Sequence, residues 1–352
     1  MLEITQKRRI VVADDSRLMR RMLSDALDRQ GFDVVATAAD GDEALAACRE
    51  HRPDAMTLDL HMPGTDGIGV LRGLKQGRAE PVPVVVVSAF SPAHGAYAVD
   101  ALAEGAFELV AKPAFGEPLA VFTRELGRKV GEAAHSGRTH RRAAQAPPRR
   151  PDHGRVGTVS RVAVAGRKAV VIACSTGGPK ALGELIPRLP SPLGAGTLIV
   201  QHMPPGFTAS LAARLDSTSP LGVREAAGGE GLRPDQVLLA PGGAHLRLGS
   251  DRIARLSDDE PVGGLRPRAD FTIEDAAKAY GARMLLVVLT GMGRDGLEGA
   301  KAVRAAGGRI LCEAESTCTV YGMPRAVAEA GLADEVLPLD ELATAITRDA
   351  GR

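Results

Sequence analysis

Residues 9–31 read RIVVADDSRLMRRMLSDALDRQG. The apolar run 10–13 has the length of a buried strand. Met19, Met22, Leu23, Ala26 and Leu27 then recur at the spacing of one helix face, closed by Gly31. This is one β/α unit, and the alternation recurs downstream. Apolar runs at 34–36, 55–58, 84–87 and 107–110 read as further strands, each followed by a segment able to form a helix. Five such units predict a doubly wound parallel sheet over residues 7–126.

Beyond it the periodicity breaks down. Residues 127–167 carry Arg128, Lys129, Arg138, Arg141, Arg142, Arg149, Arg150, Arg155 and Arg161 among Gly, Ala and Pro. Such a composition buries too little apolar surface to offset ordering entropy, so a flexible basic linker is expected there. A second alternation begins at Ala169, with strands at 169–173, 197–201, 237–240 and 284–290 and helical stretches near Ala181 and over 270–280. Residues 168–348 are therefore expected to form a second α/β domain. Two cores suit a chain of 352 residues, at about 150 residues per domain. The predicted fold class is α/β, with two doubly wound parallel-sheet domains joined by a flexible linker.

Composition narrows the function classes. Hydrophobic residues at 44% and charged residues at 25% suit a soluble globular protein. With aromatics at 3% and no Trp, the cores must rest on Val, Leu, Ile and Ala. A formal net charge of +1 provides no global field for nucleic acid. No window approaches the roughly 20 apolar residues that span a bilayer, and the N-terminus has no signal-peptide run. No nucleic-acid binding and no membrane insertion are expected, and the chain is expected to be a monomer. Cys48, Cys174, Cys312 and Cys318 match neither a zinc ribbon nor a disulfide framework, so reduced thiols and a cytoplasmic location are expected.

In an open parallel sheet, ligands collect beyond the carboxyl ends of the strands. Asp14 and Asp15 follow the first strand and Asp59 the third. Three carboxylates crowded together raise one another's pKa unless a cation sits among them, and hard oxygen ligands favour Mg²⁺. Ser88 and Lys112 reach the same edge and can hold phosphate oxygens. Taken singly, a strand-end Asp is commonly a helix cap and a lone Lys a solvated charge. Their combination points to a site.

In the second domain the apolar strand 170–174 enters the turn Ser175-Thr176-Gly177-Gly178-Pro179, with Pro179 set for the first turn of a helix. A helix N-terminus favours developing negative charge, which suits an oxyanion hole or a bound phosphate. The turn is similar to the G-x-S-x-G elbow of hydrolases, with Ala173 in place of the first glycine. The next strand ends at His202. The strand 284–290 runs into Gly291-Met292-Gly293-Arg294-Asp295-Gly296, where the glycines permit close backbone approach. Ser175, His202 and Asp295 are thus candidates for nucleophile, base and orienting acid, in a chain order that does not matter to a triad defined by geometry. On these residues alone, Ser175 to Gly178 could instead cradle a phosphate, Asp295 could cap the helix that follows it, and the second domain could be a docking module without enzymatic activity.

Asp14-Asp15, Asp59 followed by Met62-Pro63 and Asp66-Gly67, Ser88-Ala89 and Lys112-Pro113 resemble the response-regulator receiver pattern. That resemblance implies phosphate acceptance at Asp59 from a chemotaxis histidine kinase. It implies Mg²⁺ held by Asp14, Asp15, Asp59 and the His61 backbone carbonyl, Ser88 and Lys112 as the switch residues, and a cis Lys112-Pro113 bond. Leu109 stands where that family usually has an aromatic switch residue. Ser175 to Pro179, Gln201-His202-Met203, Ala240-Pro241-Gly242, Gly291 to Gly296 and Tyr321-Gly322-Met323-Pro324-Arg325-Ala326-Val327 resemble the chemotaxis methylesterase domain, so nearly the whole chain is similar to the CheB family.

The second resemblance implies hydrolysis of glutamate γ-methyl esters on methyl-accepting chemoreceptors, with deamidation of receptor glutamines. Ser175, His202 and Asp295 would be the triad, the backbone N–H groups of Thr176 and Met292 the oxyanion hole, and no cofactor would serve the esterase. Cys174 before the nucleophile and Cys312-Glu313 depart from the family pattern, the latter with an expected effect on substrate contacts. An unphosphorylated receiver covering the catalytic edge is the expected form of control.

Overall fold

The computed structural model describes residues 7–76, 82–89, 92–113, 118–144 and 166–351. The chain divides into two compact units, Met1–Asp152 and His153–Arg352.

In the first unit β1 (Arg9–Ala13), β2 (Asp33–Ala38), β3 (Ala55–Leu58), β4 (Val84–Ser88) and β5 (Glu108–Ala111) form one parallel sheet in the order β2-β1-β3-β4-β5. The helices are α1 (Arg17–Arg29), α2 (Gly41–His51), α3 (Gly67–Lys75), α4 (Pro92–Ala103) and α5 (Leu119–Ala144). The central strands read as continuous apolar runs because both faces of the sheet are covered. Local chemistry starts the helices: Ser16, Asp40 and Asp66 each accept a backbone N–H at an N-cap. Strand order reverses between β1 and β3, and the acidic residues lie at that crevice.

The second unit contains β6 (Ala169–Cys174), β7 (Gly196–Gln201), β8 (Gly222–Glu225), β9 (Gln236–Leu239), β10 (His245–Leu248), β11 (Ala254–Ser257), β12 (Met284–Val288), β13 (Arg309–Glu313) and β14 (Glu335–Leu337). Apart from the antiparallel hairpin β10-β11, these form a parallel sheet in the order β14-β13-β12-β6-β7-β9-β8. Its helices are α6 (Gly178–Leu185), α7 (Phe207–Thr218), α8 (Ala269–Tyr280), α9 (Leu297–Ala305), α10 (Met323–Glu329) and α11 (Leu339–Ala350). From β6 the chain builds outward through β7 on one side and later returns on the other side at β12. The switch point is therefore β6/β12, where Ser175 and the loop carrying Asp295 emerge.

The linker boundary expected at residue 127 falls inside α5, which continues to Ala144. The reason is a buried stripe, Leu126, Val130, Ala133 and Ala134, at helical spacing beneath the basic residues. Lys129 is itself buried and donates to the Leu109 carbonyl, tying α5 to β5. Arg138, Arg141 and Arg142 fall within α5, while Arg149, Arg150, Arg155 and Arg161 lie outside the described residues. At the other end, α11 passes residue 348 and the Ala350 carbonyl accepts the Lys168 N–H at 2.9 Å, closing the unit. The cis peptide bonds among the described residues precede Pro192 and Pro267, so the bond expected to be cis before Pro113 is not. No helix among the described residues is long and apolar enough to cross a membrane.

Candidate functional site

At the crevice of the first unit, Asp14 and Asp59 are buried and Asp15 is exposed, and one carboxylate oxygen from each lies within 4.8 Å of the others. Lys112 reaches in from the end of β5, its Nζ 2.6 Å from Asp59 Oδ2 and 2.8 Å from Asp14 Oδ2. Burial pushes the Asp14 carboxyl above its ordinary value despite Lys112. Burial also opposes the Lys112 ammonium, but Asp14 and Asp59 outweigh it and raise the Lys112 pKa. Three converging carboxylates fit a hard divalent cation. Ser88 is buried at the end of β4, and the His61 N–H lies 3.4 Å from Asp59 Oδ1. Leu109, at the position lacking an aromatic side chain, is fully buried. Tyr97 of α4 lies 5.3 Å from the His61 ring and is hydrogen-bonded to Asp66, the N-cap of α3.

In the second unit the register pairs Cys174 of β6 with Gln201 of β7, so Ser175 and His202 leave neighbouring strand ends together. The His202 N–H donates to the Cys174 carbonyl at 3.2 Å. Gln201 Nε2 donates to both the Ser175 and the His202 carbonyls at 3.0 Å. The two ends are thus stapled by a buried amide. His202 Nε2 lies 2.7 Å from Asp295 Oδ2. Burial pushes the Asp295 carboxyl up, but His202 and the N–H groups of Ala269 and Asp270 outweigh it and hold the group well below the usual carboxylate range. An ionised carboxylate only accepts, so Nε2 carries the imidazole proton and Nδ1 holds the lone pair.

The turns are as tight as their glycines require. Gly177 lies at φ 80°, and a Cβ on Gly291 would fall 2.9 Å from Ser175 Cβ and 2.5 Å from Met323 Sδ. Ser175 donates its N–H to the Thr290 carbonyl at 3.0 Å, and the Thr290 hydroxyl donates to the Thr176 carbonyl at 2.9 Å. Met292, two residues on from Thr290, is 45% exposed.

The CheB methylesterase family profile matches residues 170–346, and the response regulator receiver domain profile matches residues 10–121. A protein-glutamate methylesterase/protein-glutamine glutaminase of Symbiobacterium thermophilum is 44% identical over 353 residues, covering 97% of either chain. The chain belongs to the CheB methylesterase family. A Thermotoga maritima relative of the same name is 40% identical over 94% of this chain and 95% of its own. The crystal structure of the Thermotoga maritima CheB methylesterase catalytic domain superposes with a TM-score of 0.50 at 46% identity, covering 53% of this chain and 99% of that one. This CheB-family chain is therefore a hydrolase-family domain preceded by a receiver.

In this CheB-family chain Asp270 supports the esterase edge without a local signal in the sequence. Asp295 does not cap its own helix alone. It accepts the Ala269 N–H at 2.7 Å and the Asp270 N–H at 3.0 Å, at the start of α8, together with its neighbour's Gly296 N–H at 3.0 Å. Asp270 in turn accepts the N–H groups of Gly296 at 2.8 Å and Gly299 at 2.9 Å, at the start of α9, and pairs with Arg268 at 2.7 Å. The two helices cap one another, which fixes the acid that holds His202. Cys174, Cys312 and Glu313 are fully buried. Buried in this way, the Cys312 and Glu313 side chains do not reach the surface of the domain.

Proposed function

We propose that this chain hydrolyses glutamate γ-methyl esters on methyl-accepting chemoreceptors and deamidates receptor glutamines, under control of phosphorylation at Asp59. The reading rests above all on the 2.7 Å His202–Asp295 pair beside the strand end that carries Ser175. Ser175 Oγ attacks the ester carbonyl carbon while His202 Nδ1 takes the hydroxyl proton, and Asp295 stabilises the imidazolium that forms. The backbone N–H groups of Thr176 and Met292 face the developing oxyanion. On collapse, His202 returns the proton to the leaving oxygen and methanol departs. Water then attacks the acyl-enzyme, with His202 as base, and releases a glutamate carboxylate. With a glutamine substrate the leaving group is ammonia. Asp295 thus orients and charges the base, and the esterase chemistry uses no cofactor.

In the receiver, Asp14, Asp15, Asp59 and the His61 carbonyl would hold Mg²⁺, which neutralises charge on the transferring phosphoryl group. Asp59 accepts the phosphoryl group from a chemotaxis histidine kinase, and Ser88 and Lys112 contact its oxygens. The unphosphorylated receiver occludes the esterase edge, and phosphorylation relieves that occlusion. The protein works in the cytoplasm as a monomer, in sensory adaptation. Residues 7–126 hold the receiver's phosphorylation site and residues 168–348 the esterase, with 127–167 covering the rest of α5 and the connection.

Methanol release from methyl-labelled receptor membranes tests both halves. Release by wild type, none by Ser175→Ala, and a rise on adding a small phosphodonor are expected. No release by wild type under any condition overturns the esterase reading.

A further inference from the structure

Glu313 ends β13 beneath the nucleophile turn and is 0% exposed, yet the mechanism gives it no role. One carboxyl oxygen accepts the Thr290 N–H at 2.8 Å. Thr290 spends its own oxygens on the nucleophile: its carbonyl accepts the Ser175 N–H at 3.0 Å and its hydroxyl donates to the Thr176 carbonyl at 2.9 Å. The same hydroxyl accepts the Val320 N–H at 3.0 Å, from the segment that packs on Gly291. Glu313 is thus one residue removed from both Ser175 and the turn carrying the oxyanion N–H groups.

We propose that Glu313 is a positioning residue for the nucleophile turn, acting through Thr290. The inference rests on the esterase reading above.

The surroundings of Glu313 determine how it does this. Cys174 of β6, Glu184 of α6, and Thr317 and Cys318 of the loop after β13 face it, with Cys312 adjacent on its own strand. None of these is a cation, and Glu313 enters no ion pair among the described residues. A fully buried carboxylate without a counter-charge is costly, whereas the neutral acid keeps an acceptor for the Thr290 N–H at no such cost. Burial accordingly pushes the Glu313 carboxyl above its ordinary value. Raising the pH through that shifted value puts an unpaired negative charge behind the nucleophile turn and loosens it. Glutamine reproduces the shape and the acceptor without the titration.

Three full-length proteins decide the matter: wild type, Glu313→Gln and Glu313→Leu, each followed for methanol release from methylated receptor membranes across pH 6–10 and for thermal unfolding across pH 3–9. Glu313→Leu should lower kcat roughly tenfold or more with little change in KM, because it leaves the Thr290 N–H without its acceptor. Glu313→Gln should restore kcat and lack the fall expected of wild type as pH rises through the raised Glu313 value. Because the folded-state pKa is raised, wild type should match Glu313→Gln in Tm below the unfolded glutamate pKa and fall behind it as pH rises above that value. A kcat for Glu313→Leu equal to wild type, or a Glu313→Gln pH profile indistinguishable from wild type, overturns the proposal. If Glu313→Leu does not fold, the glutamine comparison alone decides. Absent methanol release from all three proteins removes the esterase reading, while the Tm comparison still reports whether Glu313 is buried as the neutral acid.

Discussion

A single carboxylate carries most of the organisation at the esterase edge. Asp295 accepts from His202 Nε2 and from backbone N–H groups of Ala269, Asp270 and Gly296, so both of its oxygens are satisfied and its charge is stabilised despite burial. Asn in its place offers one acceptor and one NH₂ group, and the NH₂ would meet either backbone donors or the imidazole N–H. Asp295→Asn is therefore expected to lower kcat by about 10³- to 10⁴-fold through the wrong imidazole tautomer. The variant should remain folded by circular dichroism, and single-turnover methanol release checks the loss. The sign of the pH dependence follows as well. Because the folded Asp295 pKa is depressed, its contribution to stability is present above the unfolded aspartate value and is lost as pH falls through the folded value. Denaturant midpoints measured at pH 3 and pH 7 should differ less in Asp295→Asn than in wild type.

At the scale of elements, the mutual capping of α8 and α9 turns two helix starts into one unit. Asp270→Ala leaves the buried Gly299 N–H without its acceptor, leaves the Gly296 N–H to Asp295 alone and removes the Arg268 ion pair, a loss of about 1–3 kcal/mol. Urea unfolding of the variant should show that loss as a shift in midpoint, with Asp270→Asn, which keeps one acceptor, intermediate. This device was not legible in the sequence, since the pair is 25 residues apart and Asp295 reads locally as a cap for the helix that follows it. The positions of Ser175, His202 and Asp295 at strand ends were legible because each follows a long apolar run. Strands β6, β7 and β12 declare themselves by composition, and their ends are the site. Strands β8, β10, β11, β13 and β14 were not read. Most are short, and Arg224, Glu225, Arg247, Arg255 and Glu335 interrupt those at a sheet edge or in the hairpin, while β13, inside the sheet, opens on Arg309. The far half of α5 was hidden in the same way, its buried stripe of Leu126, Val130, Ala133 and Ala134 masked by basic residues between them.

At the scale of the molecule, two doubly wound sheets present their chemistry at the same kind of place, a reversal of strand order, but with opposite electrostatics. The receiver crevice gathers carboxylates around Lys112, while at the esterase edge the buried Asp295 carboxylate, saturated by donors, stands behind a histidine. Control by occlusion needs only a weak contact between the units, because the covalent connection keeps their effective concentration high. A contact free energy of about 2 kcal/mol suffices to hold roughly 97% of the molecules closed, since about 1.4 kcal/mol is a factor of ten. The catalytic domain of the Thermotoga maritima relative was crystallised alone, which supports an independently folding second unit here. A fragment of residues 166–352 is therefore expected to release methanol from methylated receptor membranes several-fold to about thirtyfold faster than the unphosphorylated full-length chain, and to ignore a phosphodonor. Chelating divalent cations should abolish the phosphodonor response of the full-length chain and leave the fragment's rate unchanged. A fragment no faster than the full-length chain would mean that phosphorylation acts by recruiting the esterase to its substrate rather than by uncovering it.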